Sequence, residues 1–134
     1  MTINNNYRRT ICFTNRRLNF LLQRFQAISI FNVLNVPADP PYETFWSVTV
    51  YDVSHRTMIS TDQKKPTVGS VQGYDKNTDG SITVYIGPDA PKGKERNWIK
   101  TNPGQGWFSY FRLYSPTKPF FDGSWVLPDF EKAK

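Results

Sequence analysis

The sequence predicts an all-β domain, and three observations carry that prediction. Beyond Ile28 the apolar residues recur with period two, the spacing that alternates side chains across a strand. Ten prolines and eight glycines, concentrated after Asn35, punctuate the 134 residues into short elements. Ten Phe, seven Tyr and four Trp supply large buried area where aliphatic residues are modest. At this length the chain closes one proper hydrophobic core.

The elements follow in order. Residues 1–14 (MTINNNYRRTICFT) show no clear period and read as a loose start. From Asn15 to Ala27, Leu18, Leu21, Leu22 and Phe25 recur at helical spacing beside Arg17 and Arg24, which predicts a short amphipathic basic helix. Packing on the side of the domain is the favoured role for that helix. A membrane surface or a targeting role is the less favoured one. The expected division is therefore a basic arm, 1–27, and a β-sandwich, 28–134.

Ile28–Val36 (ISIFNVLNV) alternates and stops at Pro37, with Pro40 and Pro41 as a rigid connector. Phe45–Asp52 (FWSVTVYD) is a strong strand with Trp46, Val48 and Val50 on one face and Phe45, Ser47, Thr49 and Tyr51 on the other. Arg56–Thr61 is expected to return as its hairpin partner after the turn Asp52–His55. Ser81–Gly87 presents Ile82, Val84 and Ile86 to the core, and Asn97–Thr101 forms a short strand. Gly106–Ser115 (GWFSYFRLYS), aromatic on both faces, suits a central strand covered on both sides. Turn signals separate these segments at Asn77-Thr78-Asp79-Gly80, Gly87-Pro88, Pro91-Lys92-Gly93, Pro103-Gly104 and Asp122-Gly123. Short strands at this spacing make a sandwich or barrel.

The formal charge of +6 is unevenly placed. Residues 1–36 carry five arginines and no acid, whereas 37–134 carry 12 Lys and Arg against 11 Asp and Glu. The basic balance belongs to the arm, so nucleic acid is not a favoured partner of the domain. The lone Cys12 excludes an intrachain disulfide and any multi-cysteine metal cage. No apolar run approaches the roughly 20 residues of a membrane-spanning helix. Arg24 and Gln26 interrupt what would be a secretory signal, so a cytoplasmic location is favoured.

Motifs with apparent chemistry weaken on inspection. Asp75-Lys76-Asn77-Thr78-Asp79-Gly80 opens like a calcium loop, yet the twelfth position, where a bidentate Glu belongs, is Ile86. A hairpin turn is the favoured reading, and no metal is expected. Gly87-Pro88-Asp89-Ala90-Pro91-Lys92-Gly93-Lys94 is too long for a phosphate loop, and Glu95 stands where a Ser or Thr belongs. Two prolines also remove amide donors. Lys92, Lys94, Arg96 and Lys100 remain a local basic cluster, read as solvated surface ahead of an anion site. His55, the single histidine, reads as an exposed turn residue, and Cys12 has no predicted base beside it. One strand face gathers Phe108, Tyr110, Arg112 and Tyr114. Among these rings Arg112 is either an anion clamp or, on the favoured reading, a structural charge paired with Glu95 or Asp129.

A series of ordered segments resembles a known family. They are FWSVTVYD at 45–52, NTDGS at 77–81, GPDAPKGKE at 87–95, NWI at 97–99, PGQGWF at 103–108, RLY at 112–114 and GSW at 123–125. From about residue 28 onward the chain resembles the domain of unknown function 1214 family. The resemblance implies a jelly-roll-like antiparallel β-sandwich in bacterial proteins, commonly behind another uncharacterised domain, with no activity to carry over. Residues 1–27 match nothing in that pattern and the 134 residues hold no counterpart of the upstream domain. The chain is therefore expected to be a partner-dependent subunit, a minimal version or a truncated gene.

The leading functional expectation is a non-catalytic binding or assembly module, as a homo-oligomer or with a separate partner domain, and without a cofactor. No triad, metal cluster or redox cysteine argues for an enzyme. The alternative is the half-site of an enzyme or receptor for a small anionic or carbonyl compound. It would use Lys94, Glu95, Asn97, Trp98, Arg112 and Tyr114, with Glu95 as acid/base and Arg112 as clamp. Carbohydrate binding would require two coplanar rings open to solvent.

Overall fold

Period-two strands with one apolar face must bury that face against another layer, and two sheets do so here. The computed structural model describes residues 9–14 and 31–133, with side chains over 32–133. The amphipathic helix expected over 15–27 lies outside the described residues.

The strands are β1 (Arg9–Thr14), β2 (Phe31–Val36), β3 (Tyr42–Asp52), β4 (Thr67–Gly69), β5 (Ile82–Gly87), β6 (Trp98–Lys100), β7 (Trp107–Pro116) and β8 (Glu131–Ala133). A 3₁₀ turn at Glu95–Asn97 precedes β6, and a one-turn helix, α1 (Lys118–Phe121), follows β7. A long sheet has the order β1-β7-β3-β4, and a short sheet the order β6-β5-β2-β8. Among the described residues no helix is long and apolar enough to cross a membrane.

Alternation places the core as the sequence indicates. Trp46, Val48 and Val50 of β3 are fully buried, as are Val84 and Ile86 of β5. They meet Leu34, Val36, Ile82 and Ile99 of the short sheet and Val68, Trp107, Phe111 and Leu113 of the long one. Each aliphatic side chain buried this way contributes about 1.5–3 kcal/mol relative to exposure. Two polar atoms inside this core, Trp46 Nε1 and Ser109 Oγ, have no hydrogen-bond partner among the described residues.

Three expectations are corrected. Part of the supposed loose start is a strand: β1 pairs with β7 from Arg9↔Leu113 to Thr14↔Phe108. An edge strand is held by its main-chain ladder, so weak alternation conceals it. Residues 56–61 do not form a second hairpin strand. They meet β3 at one bridge, Tyr51↔Met58, and at the bonds Asp52 N–H to Thr57 O (2.8 Å) and Ile59 N–H to Val50 O (3.0 Å). The chain then leaves through a turn closed by Lys64 N–H on Thr61 O, and returns as β4. Finally, the sandwich is not wholly antiparallel, because β6 runs parallel to β5. Residues 88–97, with their 3₁₀ turn, are long enough to carry the chain back to the same end of the sheet, which a two-residue hairpin cannot do.

The β3–β4 contact depends on one missing side chain. A Cβ on Gly69 would stand 2.3 Å from Trp46 O and 2.8 Å from Ser47 Cα. Only glycine lets these backbones approach. Next to it, Ser70 Oγ accepts a hydrogen bond from Trp46 N–H at 3.1 Å and locks the end of the ladder.

Candidate functional site

The register of β3 against β7 places Phe45 opposite Tyr114, Ser47 opposite Arg112, Thr49 opposite Tyr110 and Tyr51 opposite Phe108. Residues directly opposite share a face, so these eight lie on the outer side of the long sheet, where Ser47, Thr49 and Phe108 are already buried. The rings interact closely. Phe45 stacks on Tyr114 at 3.8 Å between centroids, and Tyr51 stacks on Phe108 at 5.4 Å. Tyr110 meets both Tyr51 and Phe108 edge-on. Between them lies a floor of small residues, where Thr49 and Thr67 pair through their hydroxyls at 3.1 Å.

Two cations meet this rack of rings: Arg56 lies over Phe108, 5.8 Å from its centroid, and Arg112 stands among the rings. Arg112 Nη2 donates to Tyr51 Oη at 2.6 Å, and its guanidinium carbon lies 5.4 Å and 5.0 Å from the ring centroids of Tyr51 and Tyr110. Ring faces attract a cation electrostatically, so the group is oriented without a carboxylate. The expected partners, Glu95 and Asp129, form no ion pair with it, and no other described acid does. Among the described residues, Tyr51 Oη is the one acceptor it meets. The contacts among these rings are stacked or edge-on, not the side-by-side coplanar arrangement that carbohydrate binding requires.

The other four candidate residues lie in and beside the 3₁₀ turn that leads into the short sheet. Asn97 is buried and wholly engaged. Its Oδ1 accepts from Asp75 N–H at 2.8 Å, and its Nδ2 donates to Asp75 O at 2.8 Å and Thr83 O at 3.0 Å. Trp98 Nε1 donates to Gly87 O at 3.0 Å, closing the β5–β6 crossover. Glu95 Oε1 accepts from Gly93 N–H at 3.1 Å, and Lys94 is exposed. The structure thus divides the six: Arg112 and Tyr114 face outward from the long sheet, whereas Lys94, Glu95, Asn97 and Trp98 belong to the other layer. Glu95 and Arg112 do not share a site.

The remaining motifs are local. In the loop from Asp75 to Gly80, Asp79 Oδ1 accepts from Ser81 N–H (2.9 Å) and Ser81 Oγ–H (2.6 Å), while Asp75 turns to Arg96. These Ser81 bonds hold the Asp79 carboxyl below its usual pKa. Among the described residues no three His, Cys, Asp or Glu side chains converge as a metal site requires. His55 is an exposed turn residue, and its Nδ1 sits 2.6 Å from Oδ2 of Asp52, whose side chain is buried. The His55 bond first, and the Ser54 amide second, lower the Asp52 pKa.

Against this geometry, comparison with known proteins is informative. A family model described as Protein of unknown function (DUF1214) matches residues 29–118. The chain belongs to that family. No curated protein matches it.

This DUF1214 domain is similar in fold to the crystal structure of the VPA0106 protein from Vibrio parahaemolyticus. That match has a TM-score of 0.68 at 20% identity and covers 95% of this chain but 30% of the other. It is also similar to the crystal structure of an uncharacterised protein from Burkholderia cenocepacia. There the TM-score is 0.61 at 21% identity, over 96% of this chain and 29% of the other. The chain thus spans about 30% of the length of either neighbour.

Sequence reasoning missed two parts of the DUF1214 domain that matter to its surfaces. Tyr51 was placed on the outer face, but its bond to Arg112 joins residues 61 positions apart. Lys65 was not singled out. Its Nζ donates to Arg96 O at 2.5 Å, across 31 positions, a separation that no local pattern reveals.

Proposed function

We propose that this DUF1214 domain is a non-catalytic assembly module that pairs with a second copy of itself through the outer face of the long sheet. The observation that carries the reading is Arg112, a half-buried guanidinium oriented by Tyr51 and Tyr110 with no acidic partner among the described residues. A desolvated cation gains most from a carboxylate delivered by a partner. Strand β3 supplies one. Glu43 is exposed just beyond the Phe45–Tyr114 stack, on the side away from Arg112 and within the register shift between Tyr42 and Phe45. About a two-fold axis through that stack, each copy would place its Glu43 on the other's Arg112, an isologous arrangement in which one contact is made twice. The aromatic rings would form the dry centre, as rings and Arg do at interfaces. The position of Glu95, folded onto Gly93 and away from Arg112, supports binding ahead of catalysis.

The test is sedimentation of the whole chain from about 5 to 200 μM, a range that brackets micromolar affinity. A concentration-dependent dimer is expected. Arg112→Glu and Glu43→Arg should each weaken it at least roughly tenfold, and the double reversal should recover it, since it restores opposite charges. A monomer throughout the range, or single reversals that dimerise like the parent, would overturn the proposal. A double reversal no better than the singles would refute the Arg112–Glu43 pairing on which it rests.

A further inference from the structure

Three separate segments converge at the side of the sandwich where β4 and β6 lie. Residues 62–65, 75–76 and 92–100 carry seven Lys and Arg against three acids, whereas 37–134 as a whole is nearly balanced at 12 against 11. The cross-connections are specific. Lys65 Nζ donates to Arg96 O at 2.5 Å, Arg96 Nη1 pairs with Asp75 Oδ1 at 3.1 Å, and Lys100 Nζ pairs with Asp62 Oδ1 at 2.7 Å. All three acids are engaged, since Glu95 accepts from Gly93 N–H. The fold therefore concentrates here the positive charge that the sequence spreads along the chain.

At the centre, Arg96 is built into place. Asp75, its carboxylate partner, is held through both backbone groups by the buried Asn97. On another side, Gly73 keeps a positive φ of 78°, and a Cβ there would lie 2.8 Å from Arg96 Nη2. Any other residue would push the guanidinium away. Lys65, half-buried alongside, forms no ion pair among the described residues. Burial first, and the charge of Arg96 second, hold its ammonium below the usual pKa. Two cations held together around one carboxylate repel each other unless a further anion joins them.

We propose that Lys65 and Arg96 form an anion site that takes the phosphoryl group of a small phosphorylated compound. Arg96 offers its unused Nη2 and Nε donors in the fork geometry that matches phosphate oxygens, and Lys65 adds a point charge. Lys64, Lys92 and Lys94 raise the local potential without contacting the ligand, as charges lining one surface do. The site lies in the crossover and turn segments, apart from the ring-lined face assigned to self-association.

Inorganic pyrophosphate is the probe, titrated into the whole chain and followed by melting temperature and by NMR of the Lys65 side chain. At matched ionic strength, pyrophosphate should raise the melting temperature where chloride does not, because only a ligand of the native state stabilises by mass action. The Lys65 pKa should rise on saturation, since a bound anion favours its charged form. Lys65→Met and Arg96→Gln should each weaken binding at least roughly tenfold. Lys92→Gln, which removes one charge from the same surface, should weaken it less than about threefold. Equal melting temperatures in pyrophosphate and chloride would overturn the site. Equal losses in all three variants would do the same, since they would report diffuse screening. An oligodeoxynucleotide binding more than roughly tenfold tighter than pyrophosphate would assign the surface to nucleic acid and overturn the small-ligand reading.

Discussion

Replacing Asn97 distinguishes a fold-holding residue from a ligand-binding one, because the structure gives opposite answers for stability and for ligand contact. Asn97→Ala deletes three hydrogen bonds, of 2.8, 2.8 and 3.0 Å, from a side chain that is 4% exposed. At a net value near 1 kcal/mol each, and with main-chain groups of Asp75 and Thr83 left unpaired, the loss is about 3 kcal/mol. An unfolding entropy of about 2.1 cal/mol/K per residue makes each kcal/mol worth about 3.5 °C here, so the melting temperature should fall by about 10 °C. Asn97→Asp is the sharper variant. It keeps the acceptor for Asp75 N–H but turns both donated bonds into contacts between a carboxylate oxygen and carbonyl oxygens. At pH 7 it should be at least as damaging as Ala. Burial against carbonyls raises the pKa of that carboxyl. Its protonated form keeps the fold at low pH, and stability relative to the parent is lost as pH rises through the native-state pKa. Urea unfolding of the three proteins at pH 4 and pH 7 measures this. An Asn97→Asp variant within about 1 kcal/mol of the parent at pH 7 would refute the clamp.

Further predictions concern the fold around the sites. Gly69→Ala forces a Cβ against the Trp46 carbonyl at 2.3 Å, and should cost more than about 3 kcal/mol or prevent folding; circular dichroism and a thermal melt decide, and a normal melt would contradict the close approach. Ser109→Ala removes a buried hydroxyl with no partner, and should be neutral or stabilising by about 1 kcal/mol; a loss of that size would reveal a bound water in the core. Asp52→Asn tests the turn at His55. The Asp52 pKa is depressed below its ordinary 3.8 by His55 and the Ser54 amide, so the parent holds that stabilisation above about pH 4 and loses it as pH falls through the native-state pKa. The gap between parent and variant should therefore close on acidification, and a gap that is constant with pH would exclude the carboxylate as its source.

How much of this was legible in the sequence depends on the range of the contacts concerned. Period two fixes which face each residue takes, so Trp46, Val48 and Val50 were assignable to the core and Tyr51 and Arg112 to faces without coordinates. It does not fix the partner strand. That β3 lies between β7 and β4, and hence that Arg112 reaches Tyr51, is a matter of long-range pairing. Strand β4 has three residues and β8 reads Glu-Lys-Ala, too short or too charged to alternate visibly. Asn97 stood out in the family-like segment Asn97-Trp98-Ile99, but its partners Asp75 and Thr83 lie 22 and 14 positions away. Its role as a clamp was thus hidden, and it read equally well as a pocket residue. The grouping of Glu95 with Arg112 failed for the same reason: closeness in a motif order says nothing about which sheet each motif joins.

The two proposed surfaces should be separable, which gives each a control in the other. Arg112 is oriented by Tyr51 and Tyr110, whereas Arg96 is oriented by Asp75 and, through it, by Asn97. The two sets share no residue, and sites without common partners vary independently to within about 0.5 kcal/mol. Arg112→Glu should therefore leave pyrophosphate affinity within roughly twofold, and Lys65→Met should leave dimerisation within the same margin. If instead pyrophosphate dissociated the dimer, reciprocity would require that the dimer bind pyrophosphate more weakly than the monomer does. The basic side and the ring-lined face would then be parts of one interface, and Arg112 would no longer be an independent anchor for the second copy.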